Sequence, residues 1–310
     1  MQFQHTPVLM SEILYWLAPQ PNQDFFDGTI GGGGHSFEIL KKIGPNGHLL
    51  GTDLDEEAII AATAKLKEFG PRVIIIRDNF KNIQKLAYAK GFNQFDGILL
   101  DLGVSSYELQ DSNRGFSFKG SLPLDMRMGQ TDLTAAEILN TYDKKHLAGI
   151  FKDYGEERYA NQIADAIIDA RKKEKFQTTN QLTVIIENYY QHKSKPKGIH
   201  IATKIFQALR IEVNQELENL KQFLPQAINL LKKNGRIGII SFHSLEDRIV
   251  KDFFRQESKD CICPPETPIC QCQHQASLKI LTKKPIIASA AEIKNNPRSR
   301  SAKLRVALKI

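Results

Sequence analysis

The chain has 310 residues, 41% hydrophobic and 25% charged, which are globular values that exclude a disordered chain and allow one large domain or two smaller ones. Its longest apolar runs, residues 73–76 and 97–100, are far too short for a bilayer, and the polar start Met1-Gln2-Phe3-Gln4-His5 lacks a secretory signal. A cytoplasmic protein with no membrane partner is expected. A net charge of +7 and a pI near 9.1 favour a polyanionic partner, since neutralising phosphates supplies much of nucleic-acid affinity.

In chain order, a predicted strand over 24–27 runs into Asp27-Gly28-Thr29-Ile30-Gly31-Gly32-Gly33-Gly34-His35, and Phe37-Glu38-Ile39-Leu40 follows with helical spacing. A flexible linker would not be bracketed in this way. Glycines at a strand-to-helix turn let the backbone approach a ligand without Cβ interference, and an acid after the next strand, here Asp53, grips ribose hydroxyls. The G-x-G-x-x-G fingerprint of NAD enzymes fails, because its third glycine falls on Ser36 or Phe37. Asp27-Gly28-x-x-Gly31-x-Gly33 looks instead like the first motif of S-adenosylmethionine (SAM) methyltransferases.

Further strands are predicted over 48–52, 73–76, 95–100 and 236–242, with a helix over 56–69, the alternation of a parallel α/β sheet. More than a hundred residues separate the last two strands, too many for one crossover helix. A capping box at Thr134 and Glu137 and apolar spacing through Ile163, Ile167, Leu182 and Ile185 mark the intervening stretch as helical. The expected organisation is a discontinuous domain, 1–108 and 214–310, carrying a helical insert over 109–213. Two β-like runs, 278–287 and 301–310, should close the sheet as an antiparallel hairpin. A seven-stranded sheet with one reversed strand is the usual SAM-methyltransferase core, whereas NAD domains continue in parallel.

Asp101 ends the fourth predicted strand, where ligands bind in doubly wound sheets, and marks the expected reaction centre. Beyond it stand Arg114-Gly115-Phe116-Ser117-Phe118, Pro123-Leu124-Asp125-Met126-Arg127-Met128, Gly155-Glu156-Glu157-Arg158, Phe206-Gln207-Ala208-Leu209-Arg210-Ile211-Glu212-Val213-Asn214 and Ser241-Phe242-His243-Ser244-Leu245-Glu246-Asp247-Arg248. With His5-Thr6-Pro7-Val8-Leu9 at one end and Arg298-Ser299-Arg300-Ser301-Ala302-Lys303-Leu304-Arg305 at the other, the series resembles the bacterial small-subunit ribosomal RNA methyltransferase H family over nearly the whole chain. The resemblance implies a class I (Rossmann-like) SAM-methyltransferase fold. It also implies SAM as cofactor, and transfer of its methyl group to the N4 amine of a cytidine in the P-site region of 16S rRNA within the small ribosomal subunit.

It further implies that Gly33, Gly34, His35, Asp53, Phe80 and Asp101 contact SAM. The family has a glutamine after the Ser-Ser pair where this chain has Glu108, which accepts hydrogen bonds but cannot donate them as an amide does. Gln110 is a possible substitute. Asp53 should take the ribose hydroxyls and Phe80 lie against adenine, although a helix cap for Asp53, a core position for Phe80 and local packing for His35 stay open.

A cytosine amine is a weak nucleophile, so the enzyme must position it and accept its hydrogen bond, and Asp101 or a nearby backbone carbonyl is the candidate catalytic acceptor. Asp101-Leu102-Gly103-Val104 departs from the Pro-Pro-aromatic motif common in amino-group methyltransferases, and Tyr107 is a candidate for stacking the base, with plain packing as its alternative. Carbon-5 methylation would need a cysteine near a strand end. All four cysteines lie instead at 261, 263, 270 and 272. For them a tetrahedral zinc site, with His274 as a spare ligand, and free thiols both stay open, and no metal ligand is assigned. His243-Ser244 does not read as a hydrolase pair, since neighbours on a strand face opposite ways and no G-x-S-x-G elbow exists. Glu246, Asp247 and Arg248 read as structural ion pairs or as RNA contacts. Arg298, Arg300, Lys303 and Arg305 are the candidate phosphate contacts, with the insert as a second basic wall, and a plain solvated face stays open for this run and for 192–197. Two further classes stay open: a SAM methyltransferase of DNA or protein, and a SAM-binding ribosome assembly factor without catalysis.

Overall fold

The computed structural model describes residues 7–103, 114–118, 120–129, 131–191, 193, 195, 198–264, 266–267 and 269–310. The chain forms two compact units, one of Met1–Gly103 with Leu217–Ile310 and one of Val104–Glu216.

The first unit carries one sheet: β1 (Phe25–Asp27), β2 (Leu49–Asp53), β3 (Val73–Arg77), β4 (Phe95–Asp101), β5 (Leu231–Ser241), β6 (Leu278–Ile280), β7 (Ile286–Ile287) and β8 (Lys303–Lys309). Their order is β3-β2-β1-β4-β5-β8-β6, with β7 also on β8. The first five strands pair in parallel, and β8 runs antiparallel to β5, β6 and β7.

Helices α1 (Met10–Leu17), α2 (Gly34–Ile43), α3 (Glu56–Leu66) and α4 (Ile83–Ala89) precede α5 (Ala135–Thr141), α6 (Lys144–Asp153), α7 (Ala160–Arg171), α8 (Thr179–Tyr190) and α9 (Thr203–Asn214). After these come α10 (Glu216–Leu230), α11 (Ser244–Glu257) and α12 (Ala290–Asn295).

The central strands are covered on both faces, which is why they read as unbroken apolar runs. The pleat sorts their side chains into two cores. Phe25, Leu49, Leu99, Ile240 and Leu304 pack with Ile13 and Leu17 of α1, Ile39 and Ile43 of α2, and Ala62 and Leu66 of α3. Phe26, Leu50, Ile98, Leu100 and Ile239 pack with Leu86 of α4, Phe223 and Leu224 of α10, and Val250 and Phe254 of α11. Gly97 is a glycine because a Cβ there would lie 2.0 Å from the Phe25 ring.

Three sequence expectations shift. The helix expected over 56–69 ends at Leu66 and continues as a 3-10 turn, Lys67–Arg72. Gly70 there has φ 56° and precedes Pro71, whose ring disfavours helical geometry in the residue before it. The strand expected over 236–242 begins earlier, at Leu231. The run 278–287 splits into β6 and β7, because Pro285 between them has no N–H to give the ladder. Both pieces lie along β8, so eight strands occupy seven positions.

The second unit is helical throughout α5–α9, around a core that includes Ile138, Phe151, Ile163, Ile167, Leu182, Ile186 and Leu209. Thr134 with Glu137, and Thr178 with Gln181, form capping boxes at the starts of α5 and α8. Much of the motif series is framework here. The Asn214 side chain accepts from the Met128 N–H and donates to the Met126 carbonyl, both at 2.8 Å. Arg210 forks onto Glu216 at 2.8 and 2.9 Å. Buried Glu157 accepts from the Tyr190 hydroxyl at 2.7 Å and the Tyr159 N–H at 2.9 Å.

Candidate cofactor site at the carboxyl ends of the strands

The glycine-rich turn is fastened to both neighbouring strands by hydrogen bonds. Gly28 N–H donates to the Leu99 carbonyl at 3.0 Å and Ile30 N–H to the Thr52 carbonyl at 2.9 Å, while the Thr52 hydroxyl donates to the Gly28 carbonyl at 2.9 Å. Gly31 and Gly33 take φ of 49° and 75°, a region that L side chains rarely occupy. A Cβ on Gly31 would meet nothing nearer than 4.0 Å, so that side of the turn is open to an approaching ligand.

Gly34 serves a different purpose. A Cβ there would sit 2.3 Å from the Pro7 ring, so the glycine admits the Pro7-Val8-Leu9 segment over the turn. The segment is held by the Val8 carbonyl, 2.8 Å from His35 Nε2, and by Leu9 N–H, which donates to Glu292 of α12 at 2.8 Å. This accounts for Pro7, Val8 and Leu9 of that motif as part of the loop's scaffold.

Carboxylates close the site. Buried Asp27 ends β1 and accepts from the Ser36 hydroxyl at 2.6 Å and the Thr29 N–H at 3.2 Å, and burial pushes its pKa up to about 6 despite these bonds. Asp53 ends β2, accepting from Gly31 N–H at 2.9 Å through Oδ2 and from Asp55 N–H at 3.0 Å through Oδ1. Burial raises its pKa too. Asp53 does not cap the following helix. That is done by Asp55, which accepts from Glu57 N–H.

Asp101 ends β4, its backbone N–H donating to the Thr29 hydroxyl oxygen at 2.6 Å. Burial, with Asp27 and Glu246 as like charges nearby, pushes its carboxyl up to about 8. Oδ2 lies 3.6 Å from His35 Nδ1. Because the Val8 carbonyl can only accept, His35 Nε2 carries a proton, which leaves Nδ1 facing Oδ2. Asp101 Oδ1 is buried with no hydrogen-bond partner among the described residues. A buried acceptor of this kind is suited to a donor from a bound ligand.

Glu246 closes the circle from the first turn of α11, just after β5. Fully buried, it accepts from the Phe242 N–H at 2.9 Å and the His243 N–H at 3.2 Å, capping α11 with His243 as the N-cap residue. The signal for it in the sequence is a capping pattern with histidine in the place of serine, which is easily missed. Phe80 opens the 3-10 turn Phe80–Asn82 that follows β3, its Cβ 2.9 Å from where a Gly28 Cβ would be and its ring edge-on to Phe223 at 5.4 Å.

The turn therefore brings Gly33, Gly34, His35, Asp53, Phe80 and Asp101 to one end of the sheet. Tyr107, Glu108 and Gln110 lie outside the described residues. Arg298 and Arg300 are exposed on the 3-10 turn Pro297–Ser301, and Lys303 is half-buried beside it. Arg305 corrects the expectation of a phosphate contact: its side chain is 10% exposed and forks onto Asp247 of α11 at 2.6 and 3.1 Å, so its guanidinium is engaged inside the unit. Asp247 is likewise an ion-pair partner rather than an RNA contact. The cysteines gather in the loop between α11 and β6, not at a strand end.

The donor set fits SAM. An open glycine turn beside a β2-terminal acid with spare lone pairs suits an adenosine ribose, and a ring of carboxylates suits a sulfonium cation. Among the described residues, no helix is long and apolar enough to cross a membrane.

Residues 2–310 match the MraW methylase family. The chain is 46% identical over 312 residues to "Ribosomal RNA small subunit methyltransferase H" of Heliobacterium mobile and 48% identical over 313 residues to the protein of that name from Finegoldia magna, in each case covering 100% of both chains. It is 48% identical over 304 residues to that of Syntrophotalea carbinolica, covering 98% of this chain and 97% of the relative. With the strand order, the reversed β8 and the acid-lined glycine turn, this full-length match shows that the chain belongs to the MraW methylase family and is a methyltransferase that uses SAM.

Proposed function

We propose that this enzyme methylates the N4 amine of a cytidine in the P-site region of 16S rRNA, acting in the cytoplasm on the small ribosomal subunit. The buried Asp101 Oδ1 at the end of β4, without a hydrogen-bond partner among the described residues, carries the reading of the site. The names of the full-length relatives, which refer to small-subunit ribosomal RNA, support the substrate class.

Bound SAM supplies an electrophilic methyl group on a sulfonium. Asp53, its carboxylate fixed by the Gly31 and Asp55 amides, accepts from the ribose hydroxyls, and Gly33 and Gly34 meet the cofactor through their backbone beside the open face of Gly31. Phe80 lies along the adenine and Glu108 accepts from the methionyl ammonium. Asp101 would be the catalytic group: its carboxylate would accept a hydrogen bond from the cytosine amine, raising electron density on N4, and take the proton that nitrogen loses as the methyl group passes from the sulfonium to N4, the sulfur–carbon bond breaking as the C–N bond forms. His35 holds the carboxyl in place from its anchor on Val8. The helical segment 109–213 recognises the RNA, and Arg298, Arg300 and Lys303 contact its phosphates.

The test is methyl transfer from labelled SAM to small subunits lacking the modification, followed by nucleoside analysis. N4-methylcytidine is expected. Label in protein, in DNA or in a C5-methylated base would overturn the substrate, and ribosomal function retained in Asp53→Ala without transfer would mark a non-catalytic factor.

A further inference from the structure

The loop between α11 and β6 gathers all four cysteines of the chain. Their sulfur atoms lie within 4.8 Å of one another, which is the spacing of a coordination shell. Cys261 and Cys270 are 3.5 Å apart, Cys270 and Cys272 3.6 Å, and Cys272 and Cys261 3.8 Å. A tetrahedron of thiolates at a zinc–sulfur distance of ~2.3 Å has edges of about 3.8 Å. These separations are far beyond a disulfide bond of ~2.05 Å, so the sulfurs are not covalently paired.

The backbone around them is turned to match. Ile262 N–H donates to Cys272 Sγ and Gln271 N–H to Cys263 Sγ, each at 3.4 Å. Each Cys-x-Cys pair thus offers an amide to a sulfur of the other, an arrangement that stabilises thiolate charge. His274 stands outside this group of sulfurs, and its Nε2, 3.2 Å from the Gln256 carbonyl, ties the end of the loop to α11.

We propose that Cys261, Cys263, Cys270 and Cys272 bind one Zn²⁺ in a closed, four-sulfur structural site. Four protein ligands leave no position for substrate, and the all-thiolate tetrahedral set selects zinc over oxygen-preferring ions. Binding displaces thiol protons to solvent, so affinity falls with falling pH. The ion's work is to close the loop of 258–277 upon itself, a task its own apolar side chains do not perform, since Ile262 and Ile269 are exposed.

The experiment uses the full chain, expressed with zinc in the medium, desalted, and examined by elemental analysis together with thiol titration. About one zinc per chain is expected, with four thiols unreactive until a chelator is added. Cys261→Ser/Cys272→Ser should retain less than a tenth of the zinc. Should that variant not fold, cobalt substitution of the native chain gives the second readout, with intense visible bands of tetrahedral cobalt–thiolate expected. Absence of zinc with reactive thiols, iron in its place, or zinc retained by the double variant would each overturn the assignment.

Discussion

At the residue scale, Asp101 is the position where stability and chemistry conflict. A carboxyl held at about 8 in the folded chain, against 3.8 ordinarily, binds its proton where the unfolded chain has lost it. The folded state therefore loses stability relative to the unfolded one as pH rises from about 4 to about 8. Asp101→Asn lacks that slope and should be more stable than the native chain, by a margin that widens across the window to some ~2–5 kcal/mol. Urea unfolding at a series of pH values checks this. The shallower loss expected from Asp27, up to about 6, should persist in the variant. Methyl transfer should fall by ~100-fold or more in Asp101→Asn, and in the native enzyme the rate should climb with pH and level off above about 8, where Asp101 is ionised. A pH-rate profile that is flat from 6 to 9 would remove Asp101 from the proposed role.

At the element scale, two contacts carry separate predictions. Gly34→Ala drives a Cβ to 2.3 Å from the Pro7 ring. Displacing the 7–9 segment should cost ~1–3 kcal/mol and weaken SAM binding through loss of the His35 anchor, as read by thermal unfolding and calorimetry. Asp247→Ala leaves the Arg305 guanidinium buried without its carboxylate and should cost about 3 kcal/mol, whereas Asp247→Ala with Arg305→Leu should recover most of that loss. Legibility at this scale was uneven. The capping box at Thr134 and Glu137 was readable because both partners lie within one turn. The interruption between β6 and β7 was not read from Pro285, since a run of β-formers gives no sign of which strand receives its N–H groups.

For the whole molecule, ligands that bind only the folded chain stabilise it by mass action. SAM at a hundred times its dissociation constant should add ~2.7 kcal/mol and raise the melting temperature, and Asp53→Ala should abolish most of that shift. Neutralising Arg298 and Arg300 together should reduce the slope of log affinity against log salt for RNA by about two, with methyl transfer to a minimal substrate at low salt little changed. An unchanged slope would locate the phosphate contacts elsewhere.

The sequence by itself determined the parallel sheet and its cofactor turn. Strands covered on both faces must be continuously apolar, and a turn that admits a ligand must use glycine where φ is positive. It also marked the acids that end β1, β2 and β4, because a strand's last residue is set by local pattern. What only the tertiary structure decided was the partner of each charged or sulfur-bearing side chain. Arg305 sits in a basic run that reads as a set of phosphate contacts, yet it meets Asp247, 58 residues earlier, inside the fold. Glu246 became a buried cap beside Asp101, and four cysteines in a polar loop converged to within a coordination shell. Such partnerships depend on which distant segments pack together, and local composition carries no record of that.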